Sequence, residues 1–293
     1  MTRTFDRFVM VDWSANSRPK SGADSIWSAS LCAATGAVAC VNHRTRHELE
    51  VALCSMLANA PDQRTLLGFD FPLGYPAGFA QRVAGPGANW RDVWALLSEQ
   101  IDDDPRNRNN RFEVAAALNR SIDAEPGPFW GCPPSRATAS LRPTKPSGFV
   151  FDEFRTCERA LRARGFRPFS NWQLLGVGAV GSQAMLGIPL VHRLRHHPEW
   201  AGRARVWPFE PESCGGGQPN ELVFAEIWPS GFALDLGVHA VRDAAQVIGV
   251  CHRLAELDSV GSLARQLGSR FDPDAYELVT NEEGWILTEP HDG

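Results

Sequence analysis

Phe8-Val-Met-Val-Asp-Trp-Ser-Ala-Asn16 is the stretch on which the fold of this chain turns. Phe8 to Val11 is an unbroken apolar run that ends on the carboxylate of Asp12, and it reads as a buried strand. Trp13, Ser14 and Asn16 follow, then a polar loop from Ser17 to Asp24. An acid at the tip of a central strand has one ordinary structural use, a side-chain hydrogen bond that caps the next turn. Two further strands of this chain carry an acid at or near their ends, and the coincidence asks for a chemical reason.

Outward from that strand, Ser25 to Cys32 alternates as a second strand and Ala37 to Asn42 makes a third. The short connections predict an antiparallel meander. Arg46 to Ala60 reads as a helix with Leu49, Leu53, Met56 and Leu57 on one face, closed by Pro61-Asp62. Leu66 to Phe71 is a compact apolar strand carrying Asp70; reached through a helix, it is expected parallel to the first. A long middle section follows, with helices expected over Asn89–Gln100, Phe112–Ile122, Asp152–Arg164 and Trp172–Leu186. An Asn/Arg-rich turn lies at Pro105–Arg111, and Glu125–Pro146, rich in Pro, Gly and Ser, reads as an ordered loop or lid. Strand character resumes at Arg205–Phe209 and, after a glycine-rich loop at Glu212–Asn220, at Leu222–Trp228, which carries Glu226 and stops at Pro229. Val241–Leu257 is an amphipathic helix with Asp243 in its first turn; a helix at Gly261–Leu267 and a short strand at Gly284–Leu287 come after it.

Composition narrows the classes. With 293 residues, 43% of them hydrophobic, the chain is an ordinary globular sequence, and it holds no apolar run of the ~18–20 residues a membrane span needs. The first residues, MTRTFDRFV, lack the apolar core of a signal peptide. The seven cysteines form no CxxC pair and no zinc spacing, so free thiols and a reducing, cytoplasmic setting are expected. Net charge is −5, which does not advertise nucleic-acid binding, yet Arg136 to Arg205 holds twelve Lys/Arg against four acids. Such a local excess suits a polyanionic ligand or a solvated helix face paired with acids elsewhere.

The order of elements gives the acids their meaning. If the first and fourth strands are parallel neighbours, Asp12 and Asp70 share one sheet edge. Glu226 ends a strand that could lie beside Asp70, and Asp243 can reach the same edge from its helix. Four convergent carboxylates repel one another and raise each other's pKa. A hard divalent ion, Mg²⁺ or Mn²⁺, is the simplest remedy, and a pair of such ions supports phosphoryl transfer.

At these residues the chain resembles the ribonuclease H-like superfamily, and more narrowly the bacterial predicted RNase H-like nucleases. The matching pieces are VDWSA at Val11–Ala15, GFDFPLGYP at Gly68–Pro76, AEIWPSGF at Ala225–Phe232, RDAAQVIGV at Arg242–Val250 and EEGWIL at Glu282–Leu287. The segment from Asn89 to Trp200 matches only loosely, around Gly181, Ser182 and Gln183. The resemblance implies one RNase H-like α/β domain over residues 1–293: a mixed sheet, with a three-strand antiparallel meander plus parallel strands, and a mostly helical, Arg-rich insertion over 85–200. It implies Asp12, Asp70, Glu226 and Asp243 as catalytic metal ligands for Mg²⁺ or Mn²⁺, and cleavage of a phosphate-bearing substrate, nucleic acid or nucleotide. One departure stands out: many relatives carry E-x-H-P-E where this chain has EIWPS at Glu226–Ser230, so a His and a second acid are missing.

Ser14, Lys20, Gln183 and Arg155 are the candidates for gripping phosphate oxygens. Ser14, Asn16, Lys20 and Asp24 equally suit plain turn chemistry, Gln183 and Ser182 a buried polar spot, and Arg155 local pairing three or four residues along its helix. Glu210 is a further acid near a strand end. His192 and His196 stand four apart, a zinc-compatible spacing without a Cys or acid nearby to complete it. His239 is four residues before Asp243, and Trp13, Trp130 and Trp228 flank candidate residues where an aromatic can stack a base. Cys132 and Cys214 have no His partner in sequence. Two other functions use the same residues: an actin-like or sugar-kinase phosphotransferase, disfavoured by Trp-Ser in place of x-Gly after Asp12, and a non-catalytic metal- or nucleotide-binding module.

Overall fold

The computed structural model describes residues 3–122, 127–148, 150–176, 178–211, 214, 218–268 and 271–288. The start of the loop expected at Glu125–Pro146 and most of the glycine-rich loop at Glu212–Asn220 lie outside the described residues.

A seven-stranded mixed sheet forms the centre. Its strands are β1 (Arg7–Asp12), β2 (Ile26–Cys32), β3 (Val38–His43), β4 (Thr65–Phe69), β5 (Ala204–Val206), β6 (Leu222–Ile227) and β7 (Ile286–Leu287). The spatial order is β3-β2-β1-β4-β6-β5, with β7 also paired to β6. β1, β2 and β3 form the antiparallel meander expected from their short connections. β4 runs parallel to β1, as a strand reached through a helix should, and β6 runs parallel to β4. β1, β4 and β6 are therefore interior strands, which explains their nearly continuous apolar sequences.

Helices cover both faces. α1 (Arg46–Ala58) is capped by the Thr45 hydroxyl, which accepts from the Glu48 N–H. α2 (Phe79–Ala84) and α3 (Trp90–Gln100) follow β4; α3 opens on a capping box between Asn89 and Asp92. α4 (Arg111–Ser121), α5 (Thr156–Ala163) and α6 (Val180–Arg195) make up the rest of the middle section. α7 (Arg242–Ser259) lies across β1 and β2, and α8 (Ser262–Leu267) and α9 (Pro273–Leu278) come after it.

Strand parity divides the core. Val9 and Val11, Leu67 and Phe69, and Leu222 and Phe224 face a large cluster with α1, α3, α4 and α6. Phe8 and Met10, Leu66, and Val223 and Ala225 face a second cluster with α7 and α8. The middle section thus shares a continuous core with the sheet.

Two helices differ from the sequence reading. α5 begins at Thr156 rather than Asp152, because Arg155 keeps an extended backbone (φ −65°, ψ 164°) while its side chain enters the core. The helix expected over Trp172–Leu186 starts instead at Val180 and runs through Pro189 to Arg195. Trp172 is withdrawn into an aromatic cluster with Tyr75, Phe79 and Phe129. Pro189 sits in a helix buried on almost every side, and that packing offsets the backbone bond it deletes. No helix among the described residues is long and apolar enough to cross a membrane.

Candidate active-site cleft

Register settles which acids meet. Val11 is the partner of Phe69 in the parallel β1–β4 pair. The next residue of each chain, Asp12 and Asp70, therefore lies side by side on the opposite face, the face of α7. The Asp70 N–H donates to the Val11 carbonyl at 3.2 Å and the Trp13 N–H donates to Asp70 Oδ1 at 2.7 Å, so the ladder continues through both acids. Asp243, in the first turn of α7, completes a trio: its Oδ2 accepts from the Asp24 N–H at 2.7 Å. Asp12, Asp24, Asp70 and Asp243 all line one cleft of about 630 Å³ beyond the ends of β1 and β4.

These carboxylates feel one another. Burial, then the charges of Asp70, Asp243 and Asp24, push the Asp12 carboxyl well above its usual range. Burial, opposed by its backbone hydrogen bonds, pushes Asp70 up to about 7. Asp12 is half-buried, and no hydrogen bond reaches its carboxylate among the described residues.

The loop after β1 is clamped from two sides. Gln183 of α6 donates from Nε2 to the Trp13 carbonyl at 2.9 Å. Arg46, at the start of α1, donates from Nη1 to the Ser14 and Asn16 carbonyls at 3.0 and 2.8 Å, while Asp103 holds its guanidinium with two bonds of 2.5 Å. Asn16 Nδ2 bridges the Ser14 hydroxyl and the Asp24 carbonyl. The backbone that presents Asp12 is thereby fixed by α1, by α6 and by its own turn. Phe112, Pro133, Leu174 and Leu175 add an apolar wall to the same cleft.

Five of the eight candidate residues line this cleft: Asp12, Asp70, Asp243, Ser14 and Gln183. Glu226 does not. It is the register partner of Phe69, not of Asp70, so its side chain projects to the other face of the sheet. There it is 3% exposed, accepts from the Leu73 N–H and forms a two-bond ion pair with Arg155 at 2.6 and 2.8 Å. Arg155 is correspondingly no phosphate ligand: it is fully buried between Glu226 and Glu158, the latter being the local pair foreseen at three residues' spacing. Lys20 is exposed, pairs with Asp24 at 3.1 Å and stands outside the lining.

The remaining candidates have structural employment. Glu210 joins Arg91 and Arg195. Trp13 is 2% exposed and packs on Phe71, and Trp228 packs on Phe166. His239 lies edge-on to Trp27. His192 and His196 are in ring contact, and burial with the neighbouring positive groups holds His192 down to about 4. Burial raises the Cys132 and Cys214 thiols, the opposite of an activated nucleophile. Arg111 and Arg46 were not singled out by sequence reasoning; the available signal was the Asn/Arg-rich turn that ends at Arg111.

Among the described residues, no group of three or more His, Cys, Asp or Glu side chains is disposed to hold a metal ion. Comparison with protein-family models, with curated proteins and with solved structures returns no match to this chain.

Proposed function

We propose that this chain is a ribonuclease H-like hydrolase of phosphate esters, dependent on Mg²⁺ or Mn²⁺, with Asp12, Asp70 and Asp243 as its acidic centre. The observation that carries the reading is the in-register placement of Asp12 and Asp70 on adjacent parallel strands, at the mouth of a cleft that also takes in Asp243. The strand order, with an antiparallel meander joined to parallel strands, supports the RNase H-like assignment.

The donor chemistry suits a hard cation: all three side chains offer oxygen, and Asp12, raised first by burial, is raised further by the neighbouring carboxylates, a repulsion that a cation relieves. Mg²⁺ commonly uses one or two carboxylates, keeps several waters and takes further oxygens from substrate phosphate. Such an ion supplies Lewis acidity toward phosphoryl oxygens when bound. Asp12 carries no hydrogen bond from the described residues, so its oxygens are uncommitted and would be open to the cation. Asp70, with Oδ1 committed to the Trp13 N–H, presents Oδ2 in a fixed direction. Gln183 fixes the turn that carries Asp12, and Ser14 offers a hydroxyl beside it. Glu226 and Arg155 have no part in this chemistry. The free cysteines fit a reducing, cytoplasmic setting.

Calorimetry with Mn²⁺ on the wild type and on Asp12→Asn/Asp70→Asn, with and without inorganic phosphate, tests the site, together with hydrolysis of bis(p-nitrophenyl) phosphate. Micromolar binding that disappears in the double variant, with Mn²⁺-dependent turnover, is expected. Absence of Mn²⁺ binding to the folded wild type in both conditions overturns the reading. Binding without turnover of any phosphate ester favours the second reading, a non-catalytic binding module, for which the missing three-donor group also speaks.

A further inference from the structure

Among the described residues that line the cleft, Arg111 is the only Lys or Arg, against four aspartates. It stands at the first position of α4, 7% exposed. Buried arginines elsewhere in this chain are matched by carboxylates: Arg155 by Glu158 and Glu226, Arg46 by Asp103. Arg111 has only neutral partners. Its Nε donates to the Ser182 hydroxyl at 2.8 Å, and its Nη1 donates to the Ser17 hydroxyl at 3.0 Å and to Asn109 Oδ1 at 2.7 Å. Its guanidinium carbon sits 4.4 Å from the centre of the Phe112 ring. Nη2 donates to no group among the described residues and is not sealed from solvent, on a side chain that lines the cleft.

A buried cation with no carboxylate among its hydrogen-bond partners is costly: burial, then the charge of Arg46, pulls Arg111 down to about 10 against the opposing influence of Asp103 and Glu113. Neutral partners hold the fork in place without spending its charge. Such an arrangement is suited to an anion that arrives with the ligand, and a guanidinium suits phosphate in particular.

We propose that Arg111, oriented by Ser17, Ser182 and Asn109 and steadied on Phe112, is the seat for a phosphate group of the substrate, and that the substrate is a nucleotide-sized phosphate ester. This deepens the hydrolase reading and rests on it for the word substrate; the seat itself needs no metal. Arg111 connects to the acidic centre through Ser17, five residues beyond Asp12 on the clamped loop, so a phosphate held there lies in the same cleft as the acids. The apolar wall of Phe112, Pro133, Leu174 and Leu175 offers a surface for a planar organic group next to that phosphate. A volume of about 630 Å³ takes a nucleotide, not a stretch of duplex. Arg111 binds substrate in this scheme and takes no part in proton transfer.

The test is AMP and inorganic phosphate binding measured in EDTA, so that the result does not depend on the metal site. Wild-type protein is expected to bind AMP, with Arg111→Met weakening the affinity at least tenfold and Arg111→Lys recovering part of it. Because Arg111→Met removes several buried hydrogen bonds, a second measurement uses the wild type alone. Phenylglyoxal modification, mapped to Arg111 by mass spectrometry, should be slowed by AMP. Equal AMP affinity in wild type and a folded Arg111→Met overturns the proposal, as does Arg111 modification that AMP leaves unslowed. Loss of Mn²⁺ binding or turnover, with Arg111-dependent AMP binding retained, would count against the hydrolase and not against the seat.

Discussion

Asp12, Asp70 and Arg155 show how differently this protein treats buried charge. Arg155 is enclosed by two glutamates and also donates to the Glu283 carbonyl, so every direction of its fork is used. Removing it leaves Glu226 and Glu158 buried without their cation. Arg155→Ala is expected to cost about 3–5 kcal/mol in chemical denaturation, and Arg155→Lys most of that, since an ammonium cannot reproduce the two-bond pairs. Asp70 is the reverse case. Its carboxylate is buried and feels the charge of Asp243, so charge at this position costs folding free energy. Asp70→Asn keeps an oxygen for the Trp13 N–H and deletes the repulsion. In EDTA at pH 8 it should raise stability by about 1–2 kcal/mol, read as a higher Tm. A lower Tm would show that Asp70 serves structure.

At the scale of elements, the decisive device is the parity of parallel strands. β4 and β6 both carry acids at their ends, yet one residue of register sends Asp70 to the α7 face and Glu226 to the other. The turn after β4 is fixed equally tightly. An added Cβ at Gly74 would lie 2.4 Å from the backbone oxygens of both Glu282 and Glu283. Glu283 in turn accepts from the Ala77 and Thr156 N–H groups, and Glu282 from those of Gly78 and Ala80. Backbone held at so many points cannot retreat. Gly74→Ala is expected to destabilise by about 1–3 kcal/mol, measured by urea unfolding, whereas an open turn glycine such as Gly36, replaced by Asn, should lose little.

The whole molecule should report these groups through pH. Burial pushes Glu158 up to about 7 against the pull of Arg155, from an ordinary 4.5, and Asp12 and Asp70 are raised as well. A raised acid binds its proton more tightly folded than unfolded, so the native state holds more protons across that interval. Stability therefore falls as pH climbs from about 4.5 through about 7, then levels off for Glu158. Glu158→Gln should flatten part of that slope in Tm measured from pH 5 to pH 8; an unchanged slope would assign it wholly to the cleft acids.

The sequence by itself determined the local elements: apolar runs marked the interior strands, short turns marked the meander, and the helix before β4 marked that strand as parallel to β1. Those are properties of neighbouring residues, and the capped α1 and α3 follow from the same local chemistry. Asp12 and Asp70 were legible as a pair because strand direction brings the ends of β1 and β4 together, and Asp243 joined them, with Glu226, as an acid within reach of the same edge. Tertiary structure alone decided that Glu226 belongs to Arg155, that Lys20 stays outside the cleft and that Arg111 enters it. A one-residue register and a turn's approach to α6 depend on packing between segments far apart in the chain, and hydrophobic periodicity carries no record of either.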